Sequence, residues 1–76
     1  MNMIKELDPV VLTENLPDDR LEVGDVGWVV MIHGEGAGFE VEFVTLTGET
    51  VSVVTVPARA VRPVGAREIA HARMVA

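Results

Sequence analysis

The sequence predicts a mainly β domain, five short strands closed into a small barrel, followed by a short tail that is partly ordered or helical. Three observations carry this. Seventy-six residues leave room for one domain only. Stretches rich in Val, Thr and Phe alternate with clusters of Gly, Pro, Asp and Asn at short intervals. The strongest apolar segment, Val26 to Ile32, is β-branched, contains Gly27 and is too short for a typical helix. The expected division is a barrel over residues 1–64 and a tail over 65–76.

Val10 to Thr13, after Asp8 and Pro9, suits a first edge strand, where a preceding proline removes no ladder bond. Glu14 to Asp25 is turn-rich, with Asn15, Pro17, Asp18, Asp19 and Gly24. Leu16, Leu21 and Val23 are apolar pins that hold such a loop down on a core. Val26 to Ile32 is the strongest apolar run and reads as a buried strand, and the glycines after His33 reverse the chain. In Phe39 to Leu46, Phe39, Val41 and Phe43 alternate with Glu40 and Glu42, one face in the core and one in water. Thr47-Gly48-Glu49 makes a hairpin turn into Thr50 to Val56. Pro57 to Ala60 suits a single 3₁₀ turn before a last edge strand at Val61 to Val64. Ala66 to Ala76 is Ala-rich and long enough for about three helical turns, a length marginal in isolation.

The parity of the second strand is open. If Trp28, Val30 and Ile32 point inward, Val29 and Met31 face out; with the opposite parity Trp28 is exposed. Either choice leaves apolar surface outside. Large exposed apolar patches are rare on monomers, so this face is a candidate for self-association or for a protein partner, unless sharply bent strands and the tail cover it.

The net charge of −6 argues against general nucleic-acid binding, which draws its affinity from Lys and Arg. Its distribution is uneven. Residues 1–58 carry two basic side chains against eleven acidic ones, a balance of −9, whereas Arg59, Arg62, Arg67 and Arg73 against Glu68 give the remainder +3. One expectation is that the basic tail lies back on the acidic body.

The sequence contains no cysteine, which removes disulfides, thiolate metal sites and thiol catalysis. His33 and His71 lack metal-ligand spacing, and Ser52 lies mid-strand without a nucleophile's sharp turn. Gly34-Glu35-Gly36-Ala37-Gly38 is unlike a phosphate cradle, since no Lys, Arg or helix start follows it. Glu40 and Glu42 share a strand face but alternate with core positions, so solvation leaves them untuned for acid–base work. The expectation is a protein with no catalytic, metal or cofactor site, no evident small-molecule substrate and no membrane segment, with a cytoplasmic home. The candidate partner-docking residues are Trp28, Val29, Met31, Glu40, Glu42, Arg59 and Arg62. Arg59 and Arg62 also suit protection of an edge strand.

Leu7-Asp8-x-Val10-Val11-Leu12-Thr13, then Leu16-Pro17-x-x-x-Leu21-x-x-Gly24-Asp25-Val26-Gly27-x-Val29-Val30, then Glu40-Val41-Glu42-Phe43 with Gly48-x-Thr50, resembles a family of short uncharacterised bacterial proteins, domain of unknown function 4926, over about residues 3–64. Trp28 departs from that pattern, which carries a smaller residue there, and this sets Trp28 apart from a shared core. The Gly24-Asp25-x-Gly27-x-Val29 strand start is also similar to SH3-like barrels, including KOW modules, which are assembly modules. Nucleic-acid-binding members of that kind are basic, unlike this body. The resulting expectation is a non-catalytic interaction module, one form of which is the neutralising, antitoxin-like partner of a bacterial protein. The alternatives are a KOW-like barrel that uses its basic tail on nucleic acid, and an accessory subunit of a larger enzyme.

Overall fold

A computed structural model describes residues 3–75. Five strands form one antiparallel sheet: β1 (Pro9–Leu12), β2 (Val26–His33), β3 (Gly38–Val44), β4 (Thr50–Pro57) and β5 (Val61–Pro63), in the spatial order β4-β3-β2-β1-β5. Two 3₁₀ turns, Pro17–Asp19 and Ala58–Ala60, sit in the first loop and directly before β5. Each strand lies where the β-branched runs place it, with ends shifted by one or two residues.

The inner face is apolar because its residues alternate along three strands. Val29 pairs with Val41 and Val41 with Val54, while Ile32 pairs with Phe39 and Phe39 with Val56. Val10, Leu12, Leu21, Phe43, Ala60 and Val61 complete the core. Gly27 is required there. A Cβ on it would lie 2.5 Å from Val41 Cγ1 and 2.9 Å from the Phe43 ring, so glycine is what lets the ring lie against β2.

The first loop is packed down, as its leucines predict. Leu16 and Leu21 form an isolated bridge around the Pro17–Asp19 turn, and Leu21 is buried. Leu12 N–H donates to the Asp25 carbonyl, and Gly24 N–H to the Leu12 carbonyl, which tie the loop's far end to β1. At the β3–β4 hairpin the Glu49 N–H donates to Thr45 Oγ1 at 2.9 Å, and Gly48 supplies a φ of 96°.

Three expectations need correction. The first strand is not an edge: β1 pairs with β2 on one side and with β5 on the other. The sheet does not close into a barrel: β4 and β5 are its two edges and share no ladder among the described residues. β5 has only three residues and ends on Pro63, which has no N–H to donate, so it offers few groups to a second ladder. The sheet instead bends over its core at two register shifts, Val29/Met31 in β2 and Phe43/Val44 in β3. The tail holds no helix at residues 65–75; Ala76 lies outside the described residues. It runs as an arch of irregular backbone. The accessible surface, 5563 Å², exceeds the ~4,500 Å² usual for this mass, in keeping with an arch that stays almost wholly exposed.

Candidate functional site

The register shift in β2 settles which side chains face out. Trp28 pairs with Glu42 and Met31 with Glu40, so Val30 is the extra residue between them. Trp28, Val30 and Met31 are therefore all exposed, at 44%, 38% and 47%, while Val29 is fully buried. Val29 is thus corrected from a docking candidate to a core residue. Neither simple parity holds, because a bulge interrupts the two-residue period.

Cross-strand neighbours extend the outer face. Trp28, Glu42 and Val53 form one row across β2, β3 and β4, and Met31, Glu40 and Thr55 form the next. Val26 and Val53 are exposed beside them, at 44% and 51%. Val26, Trp28, Val30 and Met31 thus form an apolar ribbon along β2, and Glu40 and Glu42 on β3 separate it from Val53 and Thr55 on β4. Glu42 Oε2 accepts the Thr50 hydroxyl at 2.6 Å, and Glu40 Oε1 lies 3.6 Å from His33 Nε2. Of the seven docking candidates, Trp28, Met31, Glu40 and Glu42 come together here.

Arg59 and Arg62 lie elsewhere. Arg59 is exposed in the second 3₁₀ turn, with only its carbonyl engaged, by the Thr13 hydroxyl at 2.8 Å. Arg62 is held in a two-pronged pair with Glu68, at 2.8 and 2.7 Å, and the Gly65 N–H donates to the same carboxylate at 2.6 Å. The Arg62 hydrogen bonds, then that backbone N–H, pull the Glu68 carboxyl down to about 2.

A second clamp, which the sequence did not reveal, fastens the far end of the tail. Arg73 donates from Nε to Asp25 Oδ1 at 2.8 Å and from Nη2 to Asp25 Oδ2 and to the Arg20 carbonyl. Burial pushes the Asp25 carboxyl up, but the Arg73 hydrogen bonds, the Glu22 N–H and the Arg73 charge outweigh it and hold the group below its ordinary range. The opposite charges of body and tail were the available signal; the pairing, 48 residues apart in sequence, was not.

Between the clamps the tail spans a cleft of about 740 Å³, walled by Val26, Trp28, Val44 and Leu46 on the body and by Ile69 and Met74 on the arch. The arch buries little. Ile69 and Met74 stay 94% and 92% exposed, so ion pairs hold the tail and the apolar ribbon remains open. Among the described residues, no group of three or more His, Asp or Glu side chains is placed to hold a metal ion, and no helix is long and apolar enough to cross a membrane.

The family model described as Domain of unknown function (DUF4926) matches residues 6–63, most of the chain and all five strands, and the protein belongs to that family. No curated protein and no solved structure matches it.

Proposed function

We propose that this member of the DUF4926 family is a non-catalytic protein-interaction module that docks through the outer face of its sheet. The single observation that carries this reading is the apolar ribbon Val26, Trp28, Val30 and Met31, exposed along β2 and bordered on the β3 side by Glu40 and Glu42. Trp is enriched among residues that dominate binding energy, and carboxylates at the rim steer a basic partner and fix its orientation. An antitoxin-like protein that masks a basic bacterial enzyme is the finer form of the proposal, in a cytoplasmic setting with which a cysteine-free chain is compatible.

The strand order β4-β3-β2-β1-β5, the long packed first loop and the 3₁₀ turn before β5 support an SH3-like assignment for this open sheet. Fold alone assigns no partner. Binding of nucleic acid by the basic tail has less support, since Arg62 and Arg73 are already engaged by Glu68 and Asp25.

The test compares proteins retained from bacterial lysate by the immobilised domain with those retained by Trp28→Ser and by Glu40→Lys/Glu42→Lys. Both variants are expected to lose the same basic protein, and its binding to the unaltered domain is expected to weaken with salt. Unchanged retention by both would remove this face from consideration.

A further inference from the structure

We propose that two copies of the chain associate edge to edge through β4, antiparallel, about a two-fold axis at Val53. β4 is an unprotected edge. It has eight residues, pairs only with β3, contains no charged side chain, and has its one proline at its last position. Natural edges are commonly blunted by charge, proline, bulges or shortness; of these β4 has, before its final proline, only a bulge at Val51, and Ser52 to Val56 run regularly.

The charges bracketing β4 select a second copy as occupant. Glu49 stands immediately before the strand and Arg59 two residues after it, both exposed, and neither side chain has an ion-pair or hydrogen-bond partner among the described residues. Antiparallel pairing sets each Glu49 near the partner subunit's Arg59, at both ends of the contact. Parallel pairing would set like against like. For a chain of net charge −6, a contact strand without acids and with matched ends is where a second copy can approach without repulsion.

The side chains also match. With the axis at Val53, that residue faces its own copy and Val51 faces the partner's Thr55 on the outer side; Ser52 faces the partner's Val54 on the inner side. From Val51 to Thr55 the pairs keep inner with inner and outer with outer, as a joined sheet requires, and the match ends at the bulge at Val51, beyond which Thr50 lies on the outer side with Glu42. Glu49, one residue before β4, and the partner's Arg59, in the turn that follows β4, then stand at the same end of the contact, where both are long, exposed side chains. Glu42 and Glu40 on β3 lie between this edge and the ribbon along β2, so the contact leaves the ribbon around Trp28 uncovered.

Sedimentation across a range of concentrations tests it with Glu49→Arg, Arg59→Glu and their equimolar mixture. Like charges at both ends are expected to weaken self-association of each single variant by roughly tenfold. The mixture is expected to recover it, because a heterodimer of the two variants has opposite charges at both ends. Since the chain has no cysteine, Val53→Cys is expected to form a disulfide-linked dimer on oxidation. Thr55→Cys is not, as four residues of offset put its thiols about 13 Å apart. A native chain that stays monomeric at every concentration, a mixture no better than its components, or equal cross-linking at 53 and 55 would each overturn the proposal.

Discussion

The two edges of this sheet are built in opposite ways. β5 is three residues long, carries Arg62 and Pro63, and lies beside an arch pinned by Glu68. β4 is eight residues long, uncharged, with Val51 and Val53 exposed. Charge, proline and shortness thus guard the β5 edge, and the longer edge is left with its hydrogen-bonding groups free. A small sheet can make one edge safe and keep the other available by residue choice alone.

The largest effect should come from the support both edges share. Phe43 packs on Gly27 in the core, so Phe43→Ala should cost about 3–5 kcal/mol, read from urea unfolding, and should loosen β4 and β5 together. Separate melting of one edge would break the comparison. Next is the clamp that reaches across the molecule: Asp25→Asn should cost about 1 kcal/mol by weakening the hydrogen bonds to Arg73. The folded pKa of Asp25 lies below its ordinary 3.8, so its contribution is present above that value and fades as pH falls below it, which acid titration of stability would detect.

A smaller change sharpens the contrast at β5. Arg62→Ala should leave global unfolding nearly unchanged while NMR backbone order parameters in residues 66–75 fall. In the unaltered chain the Glu68 carboxyl should titrate near 2 by carboxyl NMR, against 4.5 when free. The Arg62 pair is therefore complete above about pH 4.5 and is lost as pH falls through about 2. Smallest of all, Val51→Thr on the open edge should shift stability by less than about 0.5 kcal/mol in thermal unfolding.

Strand positions were legible because Val- and Thr-rich runs between turn residues leave few alternatives, and Phe39, Val41 and Phe43 fixed the inner face of β3 by alternation alone. β2 resisted the same reading because its bulge at Val30 breaks the period on which any parity argument depends, so Val29 and Met31 could not be separated. Family resemblance set Trp28 apart from the core, and its exposure agrees. The arch was not legible: its course depends on Arg73 meeting Asp25, a pairing that no local pattern encodes. Closure failed as an expectation because the length of the final ladder, three residues ending on Pro63, is decided by pairing and not by strand propensity.

Trp28 is the sole tryptophan of a chain without tyrosine, and it sits half-exposed beside both the ribbon and the arch. The molecule therefore contains a single intrinsic fluorophore at the place where events of interest would occur. A partner that excludes water from the ribbon would shift its emission to the blue, and release of the arch would alter its quenching. Contact across β4 would leave it nearly silent, so one unlabelled optical signal can tell occupation of the face from pairing of the edge.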